Sequence, residues 1–122
     1  MNRTNGKKRM DKIDISEVNL ANIRNRTFQL SQAIVRTPTV KATSSLIDKF
    51  LDGGELYLKL ECLQHSGSFK ARGALSVIHS IPSDKKPAGI TAASAGNHGL
   101  SVAAGARIFG ANAVIYLSVS VP

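Results

Sequence analysis

The run from Gln64 to Ala74, QHSGSFKARGA, sets one lysine, Lys70, directly after Ser-Gly-Ser-Phe and directly before Ala-Arg-Gly. That spacing suits neither a solvated helix face nor an alternating strand. Helical spacing starts at Phe69 and continues through FKARGALSVIHSI, so Lys70 falls in the first turn of a predicted helix that Pro82 stops. The positive end of the helix dipole disfavours an ammonium in that turn. An amine held there can attack a carbonyl, and a Schiff base is its natural product. The alternative is a surface lysine whose stem lies over apolar neighbours.

A second stretch, SAGNHG from Ser94 to Gly99, lies between the apolar run PAGITAAS and the helical run LSVAAGARIF. Free backbone N–H groups at such a strand-to-helix turn would hold a carboxylate or a phosphate. Asn97 and His98 add side-chain donors. On spacing alone the stretch reads equally well as a turn in which Ser94 or Asn97 caps the helix and glycine relieves backbone strain. It is neither a Walker loop nor a G-x-G-x-x-G fingerprint. His98 is not read as a metal ligand: His65 and His79 are the only other histidines, and no carboxylate lies close in sequence. No metal site is expected.

The elements that must position these stretches follow from periodicity and punctuation. Ser16 is a candidate N-cap for a helix over 17–35, whose apolar face would hold Val18, Ala21, Phe28 and Ile34, with Leu20, Ile23 and Leu30 nearby. Pro38 ends it and opens an extended segment. A short helix in SSLIDKFLDGG, capped by Ser44 or Ser45, stops at Gly53-Gly54. Residues 55–61, ELYLKLE, alternate as a strand. PAGITAAS is a second strand and ANAVIYLSVS a third. The helix between them, LSVAAGARIF, is rich in small residues that suit close packing on a sheet, and Gly110 is its expected C′ residue.

From Glu55 the order is strand, helix, strand, helix, strand. This βαβαβ unit implies an α/β fold with a parallel sheet. Ligands of such sheets bind beyond the carboxyl ends of the strands. Both unusual stretches follow strand ends, so they are expected to face each other across one crevice. The domain reading is a disordered basic tail over 1–15, a helical arm over 16–54, and an α/β domain over 55–122.

Composition narrows the alternatives. The 122 residues are 43% hydrophobic and 20% charged, with net charge +8, no Trp and one Cys. Residues 1–12 carry net +4 of that charge, so half the excess sits in a short polar tip. No aromatic residues interleave with the charges, and nucleic acid is not the expected partner. Cys62 alone can form neither an internal disulfide nor a cysteine-rich metal site; it reads as a half-buried small hydrophobe in a reducing compartment. No apolar run approaches the roughly 18 residues of a membrane span. The expected location is cytoplasmic.

SGSFKARGA with SAGNHG about two dozen residues later resembles the pyridoxal-phosphate enzymes of the tryptophan synthase β-like fold. Within them the chain is most similar to threonine/serine dehydratases and serine racemase. RTP at 36–38 and LKLECLQ at 58–64 match the same pattern, and the resemblance covers residues from about 17 to 122. It implies that Lys70 carries pyridoxal 5'-phosphate as a Schiff base and later removes the substrate α-proton. It implies that Phe69 packs against the pyridine ring and that Asn97 hydrogen-bonds the ring oxygen. Ser94, Asn97, His98 and nearby N–H groups would clasp the substrate carboxylate. The implied reaction is loss of the β-hydroxyl from a small hydroxy amino acid, giving a 2-keto acid and ammonia.

Departures from the family pattern are also legible. The family usually has Asn near Cys62, Pro near His65 and often Gln at the position of Leu100. Sulfhydrylases and threonine synthases tend to carry Asp where this chain has Ala71. Serine racemase tends to carry Ser, the opposite-face acid/base, where this chain has Ala95. Ala95 therefore favours elimination over racemisation. The family's glycine-rich phosphate loop and its pyridine-nitrogen residue lie beyond the equivalent of Pro122. The resemblance therefore implies an N-terminal fragment, inactive alone, of an enzyme that is a homo-oligomer at full length. A non-catalytic remnant is the remaining alternative.

Overall fold

The computed structural model describes Ser16 and residues 18–120. The expected basic tail over 1–15 lies outside the described residues.

Helix α1 spans Leu20–Gln29, shorter at both ends than the expected 17–35. Asn19, not Ser16, is its N-cap and accepts the Asn22 N–H at 2.9 Å. At the far end the Leu30 N–H turns back to the Arg26 carbonyl at 3.1 Å, and residues 30–34 form turns. The reason is burial: Leu30 and Ala33 are both buried, and Ala33 packs on Ala71 and Leu75. Part of the expected apolar face is a core face, since Leu30 is buried and Ile34 packs against Ala33, Ala71 and Leu75, and the rest is not. Val18, Leu20, Ile23 and Phe28 are all exposed, because α1 stands off α3 (Lys70–Ser80) across a cavity of about 650 Å³.

Strand β1 (Thr39–Ala42) follows Pro38, and helix α2 (Ser45–Leu51) begins where the Ser44 hydroxyl accepts the Ile47 N–H. Asp52 takes the left-handed conformation at the C-cap, with Gly53 also at positive φ, and the chain reverses into β2 (Leu56–Lys59). β2 pairs antiparallel with β1, Thr39 opposite Lys59. The α/β class stands, but the strand grouping differs from the expected three-stranded parallel βαβαβ sheet. Among the described residues only β3 (Ile90–Ala93) and β4 (Ala113–Tyr116) pair in parallel. β2, expected beside β3, takes its ladder bonds from β1 instead, and β3 is left to pair with β4. The β1–β2 ladder spans the expected boundary at 54/55.

α3 ends before Pro82, as its sequence predicts, and α4 (Asn97–Ile108) links β3 to β4. α4 begins three residues earlier than expected, so Asn97 and His98 are helical rather than part of a turn. Its small residues bring it close to its neighbours. A Cβ on Gly105 would lie 2.8 Å from Ile78 Cδ1, and one on Gly99 would lie 2.8 Å from the Ser94 carbonyl oxygen. Ala74, Ile78 and Val102 form the core between α3 and α4, covered by Ile90, Ala92, Phe109 and Ile115. Gly110 follows α4 at φ +67, as expected for a C′ residue. No helix among the described residues is long and apolar enough to cross a membrane.

Candidate active site

Two segments prepare the start of α3. After β2 the chain makes two 3-10 turns, Glu61–Leu63 and His65–Gly67. The buried Gln64 between them reaches back to Val35. Its Nε2 donates to the Val35 carbonyl at 2.8 Å, and its Oε1 accepts the N–H groups of Val35 and His65, each at 3.1 Å. Cys62 is exposed rather than half-buried, since Glu61 and Gln64 are the residues of this turn that face the protein.

Glu61 holds α3 from below. Its carboxylate accepts Arg72 Nε at 2.8 Å, Arg72 Nη2 at 2.7 Å and the Thr37 hydroxyl at 2.6 Å. Lys59 Nζ adds a bond to the Thr37 carbonyl. The Arg72 guanidinium and then the Thr37 hydroxyl hold the Glu61 carboxyl well below its ordinary 4.5, at about 2. The same bonds raise Arg72.

Lys70 is thus the first residue of a helix fixed two residues further on. Its Nζ lies 5.0 Å from the centre of the Phe69 ring, and no carboxylate among the described residues pairs with it. Phe69, Lys70 and His98 open on one cavity of about 460 Å³ between α3, β3 and α4, walled by Ala74, Ile78 and Val102. This cavity brings Lys70, Phe69 and His98 together. Ser94 and Asn97 sit beside it and do not line it. Ser94 Oγ accepts the Gly96 N–H at 3.3 Å and does not cap α4. Gly96 is the N-cap, with no side-chain cap bond, so the first-turn N–H groups of α4 are left free for a ligand. The larger cavity beneath α1 holds none of the residues singled out as site residues.

The residues present fit pyridoxal phosphate. An amine with no carboxylate partner among the described residues and a 61% exposed aromatic ring share a cavity of ligand size, with the uncapped start of α4 beside it. Ser68, immediately before Phe69, adds a buried hydroxyl with no partner among the described residues. No group of three or more His, Cys, Asp or Glu among the described residues could hold a metal ion.

Thr37, Glu61, Gln64, Ser66, Arg72 and Ser101 also build the site, and the sequence reading gives none of them a role. A Glu and an Arg flanking the lysine loop are a legible signal of an ion pair. The Val35 backbone partner of Gln64 and the Ser66–Ser101 pairing are not, because they join segments far apart in sequence.

Residues 30–122 match the family described as "Pyridoxal-phosphate dependent enzyme". A catabolic L-threonine dehydratase of Staphylococcus aureus is 38% identical over 105 residues, 86% of this chain and 30% of that protein. An L-threonine ammonia-lyase of Thermotoga maritima is 41% identical over 100 residues, 82% of this chain and 24% of that protein. Maize serine racemase superposes with a TM-score of 0.76 at 32% identity, covering 85% of this chain and 31% of that one. The chain thus spans under a third of the length of the relatives it matches, and its fold is tryptophan synthase β-like. On the match over residues 30–122, the chain belongs to the pyridoxal-phosphate dependent enzymes.

Proposed function

We propose that the chain supplies part of an enzyme that eliminates the β-hydroxyl of a small hydroxy amino acid, L-threonine, L-serine or 3-hydroxyaspartate, to yield a 2-keto acid and ammonia. The observation that carries this reading is the placement of Lys70: first residue of α3, beside Phe69, across one cavity from His98. When bound, pyridoxal phosphate supplies a conjugated ring that takes up the electron pair left at the α-carbon.

This chain's own residues do the rest. Lys70 Nζ holds the cofactor and, once released, accepts the α-proton. Phe69 offers an apolar ring face that excludes water from one side. The free N–H groups at the start of α4, with Ser94, Asn97 and His98, hold the substrate carboxylate. The Asn97 amide also donates to the cofactor's ring oxygen. Glu61 and Arg72 hold the α3 N-terminus still while the amine changes partners.

Borohydride reduction of the cofactor-loaded protein and peptide mapping test the assignment. The pyridoxyl label is expected on Lys70, and a label confined to Lys59 or another lysine would refute it. A racemase is the second reading, favoured by the likeness to maize serine racemase. Against it stands Ala95, which has no hydroxyl to deliver a proton to the opposite face.

A further inference from the structure

We propose that Ser66 and Ser101 are positioning residues that lock the Lys70 loop to the helix turn carrying Asn97; this rests on the reading of Lys70 as the cofactor-holding amine. Ser66 Oγ lies 2.7 Å from Ser101 Oγ, across 35 residues of sequence. Ser101 is fully buried, and its hydroxyl donates to the Asn97 carbonyl at 2.6 Å. A hydroxyl has one proton, so that bond leaves Ser101 only its lone pairs for Ser66. The direction is therefore set: Ser66 donates to Ser101, and Ser101 donates to Asn97.

Two features mark this as more than a buried serine satisfying its own helix. Ser101 already has its bond to the carbonyl four residues back and does not need Ser66 for that. Ser66, in turn, sits at φ 60 and ψ 15, a left-handed conformation that disfavours a residue bearing a Cβ. Gly67 follows at φ +68, so two successive left-handed residues precede Ser68, Phe69 and Lys70. Among the described residues no other hydrogen bond joins 64–70 to 94–101. The separation of the Lys70 amine from Asn97 and His98 is thus set by one directed hydroxyl pair and by the packing of α3 on α4.

The test is competitive labelling. The purified protein is exposed to limiting pyridoxal phosphate, reduced with borohydride and mapped, and the ratio of label on Lys70 to label on Lys59 is read. Urea midpoints are recorded alongside for wild type, Ser66→Ala, Ser66→Gly, Ser101→Ala and Ser66→Ala/Ser101→Ala. Wild type is expected to favour Lys70. Each single variant is expected to lower the ratio about three- to tenfold, the worth of one net hydrogen bond, and the double variant no further than the lower single. Ser66→Gly discriminates between strain and position: it relieves the left-handed conformation, and it is still expected to lose the preference. If Ser101→Ala fails to fold, the two Ser66 variants carry the test alone. A wild-type ratio in folded Ser66→Ala and Ser66→Gly overturns the proposal, as does a ratio that falls only in step with the urea midpoint. No preference for Lys70 in the wild type refutes the reading of Lys70 itself, and that outcome is seen without any variant.

Discussion

Arg72 grips Glu61 through two parallel bonds, Nε to Oε2 at 2.8 Å and Nη2 to Oε1 at 2.7 Å. The fork geometry suits guanidinium and carboxylate and is not reproduced by lysine. Arg72 lies two residues after Lys70 on α3, and Glu61 lies two residues after β2. Thr37, from the segment before β1, gives the carboxylate its third donor. Three segments therefore meet at the base of the helix that presents the amine, while no carboxylate among the described residues pairs with the amine itself.

That pairing makes part of the stability depend on acid. The Glu61 carboxyl is held at about 2, below its ordinary 4.5. A group with a lowered folded value stabilises fully above its ordinary value and loses that contribution as pH falls through the folded value. Glu61→Gln should therefore be less stable than wild type at neutral pH. The difference in urea midpoint should shrink as pH falls from about 4.5 towards about 2. A difference that stays constant across that range would show that the charge of Glu61 contributes nothing.

Gly99 and Gly105 should respond differently to a methyl group. A Cβ on Gly99 meets a backbone oxygen, that of Ser94, and also lies 3.0 Å from Ile115 Cγ2. A Cβ on Gly105 meets the end of the Ile78 side chain, which can rotate away. Gly99→Ala should cost on the order of 1–3 kcal/mol and shift the strand end that carries Ser94. Gly105→Ala should cost less. Chemical denaturation of both variants checks the order, and equal losses would contradict it.

Asn97→Ala should weaken cofactor binding. A donor to a charged or polarised oxygen is worth on the order of 1.5–3 kcal/mol, about ten- to a hundredfold in affinity. The backbone should tolerate the change, because the bond from Ser101 goes to the Asn97 carbonyl and the N-cap is Gly96. Spectral titration with pyridoxal phosphate gives the affinity directly. Unchanged affinity would reduce Asn97 to an ordinary first-turn residue.

In an enzyme of the relatives' length that carries these residues, the products from L-serine should be pyruvate and ammonia, with little D-serine. The reason is Ala95, whose methyl side chain has no proton to deliver. A coupled keto-acid assay with chiral analysis of the remaining serine measures both. D-serine as the main product would support the racemase reading instead.

Local chemistry alone places Lys70 at a helix start. Proline at 82 and the apolar period of FKARGALSVIHSI leave α3 little freedom, and Gly110 is legible as the residue that ends α4. The pairing of SGSFKARGA with SAGNHG was enough to indicate the family and the cofactor, because these are contiguous runs. Length and partnership were not legible. The 17–35 stretch has a helical period throughout, yet the chain turns at the buried Leu30 and Ala33 packs on Ala71 and Leu75 of α3, a contact with residues some forty positions later. The alternation of ELYLKLE shows a strand without naming its neighbour, and the antiparallel partner β1 comes from the segment after Pro38. The same holds within the site. The run SAGNHG supports a turn or a helix start equally well until packing of Gly99 under the Ser94 carbonyl places α4's first turn at Asn97. Hydrogen bonds between segments, Gln64 to Val35 and Ser66 to Ser101, exist only once the chain has closed on itself, so no local pattern encodes them.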